Sequence, residues 1–433
     1  MNGMPWGPTA LSVATLVVLG AVVVVLASRL SKVSGAAPVL LTLFGAHLAW
    51  SLSTFALAEF VLPDEVYYHR LAIGVSEDLR LGRAPDVTLI EFKAGWVYVL
   101  GALYALLGEM PQVGLVLNAT LMSLVPVAVA RATHELGWER AVAPALLASC
   151  VAPAFLMWGS RLLREGLILL ALSILVAAAA RFMTRPAAGS ALLVGATLGG
   201  LYYVRGTAAL IVGISLLLVL VVVRASHGGA LSLRLQLILA AGAPLAFVGL
   251  EYGATFFGWD IDQANLSLSY TNAVAESSIF GGSVAAVSSP VDVLVRTATV
   301  LPTALLGPLP WQMTLSPVGL IAAIDAVSWW FLVYYALRGW ADPSTVKGRW
   351  LCVLPALALV ASLTLTTGAF GALIRYRAMA LPFIIPLAMV GFTRQRDRAR
   401  VRSAERRHMP TASTPLVGPA AGYTVENTTA AES

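Results

Sequence analysis

Charge is what this chain has least of. Only 12% of its 433 residues are charged against 58% apolar, and lysine occurs only at Lys32, Lys93 and Lys347. So little charge excludes a soluble globular domain of this length and leaves no basic surface for nucleic acid. Cysteine is equally scarce. Cys150 and Cys352 both fall inside apolar runs, so neither a disulfide framework nor a zinc site is expected. A Walker loop, a dinucleotide fingerprint, an HExxH helix, a CxxC pair and a nucleophile elbow are all missing, which removes the commonest signatures of nucleotide, zinc and serine chemistry.

Apolar runs of about 20 residues recur along the chain, the length that crosses a bilayer as a helix. They fall near 8 to 27, 38 to 61, 95 to 108, 113 to 130, 141 to 157, 165 to 180, 188 to 204, 206 to 223, 235 to 251, 317 to 337, 350 to 366 and 376 to 392. The expected fold is therefore all-α, a polytopic transmembrane bundle of roughly eleven or twelve spans. The first run lacks a basic leader and is followed by Arg29 and Lys32, so it reads as a retained helix. Three regions follow: an N-terminal helix and turn over 1–37, a transmembrane domain over 38–392, and a tail over 393–433 that is basic and then disordered.

Basic connectors set the orientation. Arg29 and Lys32, Arg181 and Arg185, Arg224 and Arg234, Arg338 to Arg349, and the tail arginines from Arg394 to Arg407 read as cytoplasmic by the positive-inside rule. The loops over about 62–93 and 252–316 then face outward, and the second carries Asp260, Asp262, Glu276 and Asp292 against Arg296. Arg131 and Arg140 break the parity by one crossing. Treating the short segment 95 to 108 as re-entrant or interfacial restores it and leaves eleven spans.

The outward loop after Leu62 holds the most informative carboxylates, Asp64 and Glu65, followed by Tyr67, Tyr68, His69 and Arg70. Acidic groups at a bilayer exit are costly unless they face water or work, so the pair is a candidate base, hydroxyl-binding or metal-binding site, or simply a hydrated loop. Tyr68, Leu71, Ala72, Val75 and Leu79 recur at helical spacing behind it, which predicts a helix along the bilayer surface. The far loop from Phe256 to Pro290 is rich in Ser, Gly, Asn and Ala, and reads either as an irregular solvated loop or as a lid. Arg161 and Arg164 lie between two long spans, where each is matched either by a bound phosphate or by Glu165. Arg205 separates two short spans, and Arg375 and Arg377 open the last one; snorkelling to the interface is the alternative role for these three. Asp325 is an intramembrane carboxylate for which an arginine partner is expected. Asn118-Ala-Thr matches a glycosylation acceptor only by chance, since it falls inside a span.

In pattern and order these features resemble the GT-C superfamily of integral membrane glycosyltransferases, in particular its family 39-like bacterial members. The matching stretches are Leu62-Pro-Asp-Glu-Val-Tyr-Tyr-His69, Pro153 to Glu165 with Trp158-Gly-Ser160, Tyr203-Val-Arg205, Pro308-Leu-Pro-Trp311 and Ile374-Arg-Tyr-Arg-Ala-Met-Ala-Leu-Pro382. The likeness runs from about Pro63 to Phe392, with an additional helix in front.

The resemblance implies transfer of a sugar from a polyprenyl-phosphate carrier to a glycan, lipid or protein acceptor at the outer face of the plasma membrane. Asp64 would be the base on the acceptor hydroxyl with Glu65 as its neighbour or substitute, and Arg164, Arg205 and Arg377 would hold the leaving lipid phosphate. His69, Arg161, Arg375 and Asp325 complete the candidate substrate-binding set. A divalent cation is compatible with this chemistry, but the carboxylates are too sparse to define a metal site. Two other classes stay open. An O-antigen polymerase- or ligase-like enzyme would rely on the loop from Phe256 to Ser316 instead of Asp64, and a lipid or solute transporter would need ionisable residues at mid-membrane on matched halves.

Overall fold

A computed structural model of the chain describes residues 6–56, 63–85, 94–228, 305–307, 317–365 and 370–408. The expected span at 235 to 251, nearly all of the loop over 252–316, the Pro308-Leu-Pro-Trp311 stretch and the tail after His408 lie outside the described residues. Within them the protein is helical throughout. The helices are α1 (Trp6–Ser28), α2 (Ala36–Ala56), α3 (Pro63–Arg80), α4 (Ala94–Leu107), α5 (Pro111–Glu135), α6 (Glu139–Cys150), α7 (Pro153–Gly159), α8 (Glu165–Thr184) and α9 (Ala188–Gly228). After the undescribed stretch come α10 (Pro317–Trp340), α11 (Arg349–Leu365) and α12 (Phe370–His408).

Six of the described helices are long and apolar enough to cross a membrane, which makes the protein a multi-pass, all-α membrane protein. α6 and α7 form an apolar pair, a broken span or a re-entrant loop, bent by 48° where Pro153 removes a backbone donor. α4 is 14 residues long, about 21 Å at 1.5 Å per residue, short of a hydrocarbon core of about 30 Å. Its length suits the re-entrant or interfacial placement that the charge parity asks for. Gly137, with φ of 77°, ends α5: its N–H reaches His134 O at 2.8 Å and the Trp138 N–H reaches Thr133 O at 3.1 Å, a Schellman cap.

α9 is one helix in name only. Arg205 has φ −158° and ψ 84°, an extended residue between arms 188–204 and 206–228. A Cβ on Gly213 would lie 4.0 Å from Leu198, and Ala191 and Leu220 line one cavity, so the arms double back on each other as a helical hairpin. This is the division into two spans that the sequence predicts.

The core sits where α5 and α8 pack together, with Ile168, Leu169, Leu172 and Leu175 of α8 wholly buried. α1 stays at the edge, exposing Val18, Leu19, Val22 and Leu26, as suits a helix facing lipid. α3 meets α4 through Tyr68, Ala72 and Val75, and Gly101 gives Val75 room to close on α4. Its buried stripe is the predicted one, except that Leu79 remains 38% exposed. The basic end of α12, from Arg394 on, is exposed and belongs to a second unit of the chain.

Candidate functional site

The site is built around a connector that is not helical, residues 160–164 between α7 and α8. Such backbone has no ladder of its own, so its polar groups need outside partners where water is scarce. Three helices supply them. From α5, the buried Asn118 donates through Nδ2 to Arg161 O at 2.5 Å and to Leu163 O at 2.8 Å. From α2, Ser51 Oγ donates to Ser160 O at 2.7 Å, and His47 Nδ1 shares a 2.5 Å hydrogen bond with Ser160 Oγ. From α3, Glu65 Oε1 accepts the Leu162 N–H at 2.8 Å. Gly166 admits Asn118, because a Cβ there would collide with Asn118 Oδ1. The connector thereby fixes the directions of Arg161, Arg164 and Glu165.

Asp64 and Glu65, read as a loop pair, instead occupy the first turn of α3, and their environments diverge. Glu65 is 7% exposed and turned inward, with Oε2 3.6 Å from Arg161 Nη1. The Asp64 side chain is 57% exposed, with Oδ2 3.4 Å from Arg375 Nη1. Consecutive helical residues sit about 100° apart, so one turn serves two compartments. Tyr68 follows Asp64 by four residues and His69 follows Glu65 by four, which extends each face by one turn.

The first compartment gathers cations around one buried carboxylate. Glu165, 1% exposed, accepts from Arg375 Nε at 2.5 Å and again from its Nη2, and stands 3.9 Å from Arg205 Nη1. Arg164 reaches across to α9 and donates to Val204 O at 2.8 Å, which satisfies a carbonyl freed by the extended residue after it. Arg205 lies over the Tyr376 ring, 4.7 Å from its centroid, and Arg375 lies over the Trp158 ring at 6.0 Å. Burial raises the Tyr68 hydroxyl above the usual phenol range, while Arg164 and Arg375 oppose that shift and Glu165 and Asp64 reinforce it. All four charges therefore act on one phenol. Glu165 Oε2 and Arg205 Nε are buried without a hydrogen-bond partner.

Arg377 stands apart from this group. It was expected beside Arg164 and Arg205, yet it pairs with Asp325 at 2.8 Å and donates to Gly307 O. The physical reason is helical: α12 begins at Phe370, so residues 375 and 377 point about 200° apart. Asp325 thus gains the arginine partner expected for it. Arg377 lies 5.7 Å from the Trp329 ring centroid, while Trp329 and Trp330 donate to Leu305 O at 2.5 Å and Leu306 O at 2.6 Å, fixing the segment that carries Gly307. Arg375, rather than Arg377, is the residue of that pair that joins Arg164 and Arg205.

The second compartment is a cleft of about 90 Å³ bounded by α2, α3, α5 and the connector. Glu65, His69 and Arg161 line it. Burial lowers the affinity of Arg161 for its proton, and the charge and hydrogen bond of Glu65 push it back up. His69 Nδ1 and Tyr104 Oη share a 2.9 Å hydrogen bond; burial depresses the imidazole pKa and the Glu109 charge partly restores it. Glu109 is itself held by Arg80 at 2.6 Å.

Asn118, His47, Ser51, Tyr68 and Trp158 were not singled out as site residues. Asn118 did carry a signal, a primary amide in mid-span where an unpaired polar group is expensive. Among the described residues no group of three or more His, Cys, Asp or Glu could hold a metal ion. No protein-family model, curated protein or solved structure matches the chain, so the site is described by its own geometry alone.

Proposed function

We propose that this protein is a membrane glycosyltransferase that moves a sugar from a polyprenyl-phosphate carrier to an acceptor hydroxyl at the outer face of the cell membrane. The observation that carries the reading is the convergence of Arg205 and Arg375 on Glu165, with Arg164 beside them and Asp64 at the exposed rim. Arg205 and Arg375 face Glu165, Arg375 also faces Asp64 and Arg164 stands beside them, a cluster of guanidiniums whose chemistry suits a phosphate. The unpartnered Glu165 Oε2 and Arg205 Nε leave the group with hydrogen-bonding capacity for a polar ligand.

In the reaction, the acceptor O–H gives its proton to Asp64. Its oxygen bonds to the anomeric carbon as the bond from that carbon to the phosphate oxygen breaks, and the electron pair departs on the polyprenyl phosphate. Asp64, more exposed than Glu65, is the better placed base, and the arginines neutralise the leaving group in surroundings poor in water. A lipid carrier requires a catalyst within the bilayer, which accounts for the fold. By the positive-inside rule the basic end of α12 is cytoplasmic and the Asp64 end external.

The test is consumption of radiolabelled polyprenyl-phosphate sugars by membranes containing the protein or its Asp64→Asn and Arg375→Ala variants. Turnover is expected for the protein and loss of it in both variants. Undiminished turnover in both, or none by the parent protein with any donor, defeats the reading.

A further inference from the structure

The cleft on the other side of α3 is a site of different chemical character. Its charges cancel, since Glu65 and Arg161 face each other across 3.6 Å and both are buried. Neither a phosphate nor a free cation gains from such a place, because whichever charge attracts it the other repels. Around the pair stand the imidazole of His69 and the hydroxyls of Ser51 and Thr54, the last two spending their protons on Ser160 O and on Trp50 O and Ser51 O. Both hydroxyl oxygens keep acceptor capacity. With His69 Nδ1 engaged by Tyr104, Nε2 is the nitrogen left to a ligand. Val66, Pro111 and Leu115 supply an apolar wall.

Several acceptors and donors at a neutral site beside an apolar wall are the chemistry that recognises a polyhydroxylated ring. The free volume is about 90 Å³. It admits one edge of such a ring, the rest emerging past Val66, which is 40% exposed.

We propose that the α2–α3–α5 cleft binds the hydroxyl edge of a neutral glycoside, a site separate from the arginine cluster and holding the acceptor of the reaction. The acceptor role rests on the proposed transferase function; the binding site does not. Glu65 and Asp64 then divide the first turn of α3, Glu65 lining the sugar cleft and Asp64 standing at the exposed rim, where the hydroxyl of the emerging acceptor gives up its proton. His69 is a binding residue on this assignment, and Asn118 and Ser51 are positioning residues that act through the connector.

Protein in lipid nanodiscs tests this by saturation-transfer NMR with methyl β-D-glucopyranoside, methyl α-D-mannopyranoside and methyl β-D-arabinofuranoside, with polyprenyl phosphate binding measured in parallel. At least one glycoside should show transfer, weakened about tenfold or more by His69→Ala and by Val66→Trp, which blocks the mouth from an exposed position. Polyprenyl phosphate binding should survive both changes and be lost in Arg205→Ala. Absence of transfer from all three glycosides, or transfer indifferent to both cleft variants, overturns the site. Glycoside transfer without polyprenyl phosphate binding overturns the transferase reading and leaves the site standing.

Discussion

Glu165 and Arg375, 210 residues apart, meet through a 2.5 Å hydrogen bond from Arg375 Nε to Glu165 Oε1 that ties the start of α8 to the start of α12. Only 1% of the Glu165 side chain and 16% of the Arg375 side chain is exposed. A pair removed from water this far is costly to break from one side, because the surviving charge stays buried. Arg375→Ala should lower stability by about 3 kcal/mol, toward the low end for a buried pair because Arg205 still faces Glu165. Thermal unfolding in nanodiscs checks this, and a fall below about 1 kcal/mol contradicts it.

Asp64 contributes little to packing, being 57% exposed, so its effect should fall on chemistry. Asp64→Asn is expected to keep the unfolding temperature within experimental error while sugar transfer falls about 10²- to 10⁴-fold, the range for loss of a general base. Glu65→Gln should do the reverse in part. It loosens the connector by weakening the bond to the Leu162 N–H, and stability should drop along with activity.

Asn118 makes a second structural prediction. Asn118→Ala strands two connector carbonyls, Arg161 O and Leu163 O, at a cost of about 1–3 kcal/mol for each buried group left unpaired. Asn118→Leu should be at least as damaging, since it removes the same donors and crowds Gly166. Hydrogen exchange at the amides of residues 160–164 should rise in both variants, and exchange unchanged from the parent rejects the pinning role.

The imidazole of His69 gives stability a pH dependence with a definite sign. Burial depresses its folded-state pKa below the ordinary value of 6.5. Between the two values the unfolded chain binds the proton and the folded chain does not, so stability rises with pH there. The contribution is fully present above about pH 6.5 and is lost as pH falls through the folded-state pKa. His69→Phe should flatten that part of the profile. An identical slope in parent and variant just below about pH 6.5 removes His69 as its source.

Gly339 and Gly391 are the points of closest approach between α10 and α12. A Cβ on Gly339 would collide with Leu387 O, and one on Gly391 with Tyr335 O. Small residues let membrane helices approach backbone to backbone, and neither carbonyl can step aside. Gly391→Val should therefore cost about 1–3 kcal/mol or more, read as a lowered unfolding temperature.

Much of the fold was legible in the chain. Apolar runs set which segments become helices, because a backbone in lipid has to satisfy itself along its own length. Arg205 marked the reversal inside α9, since an arginine flanked by two apolar runs is placed at an end and not in the middle. The stripe of Tyr68, Ala72 and Val75 gave the buried face of α3 by its spacing alone. The site was legible only as a set of charged residues. Which of Arg375 and Arg377 joins Arg164 and Arg205 depends on whether the chain is already helical there, and two residues along a helix turn a side chain to the opposite face.

Composition and periodicity by themselves determined a multi-pass helical protein and put Asp64, Glu65 and the arginines among its candidate groups. Tertiary structure alone decided the pairings: Glu165 with Arg375, Glu65 with Arg161, Asp325 with Arg377, and Asn118 with the connector. The reason is the reach of the forces. Hydrophobic burial is read locally, residue by residue, whereas an ion pair is defined by a few ångströms between residues as many as 311 positions apart, as for Asp64 and Arg375.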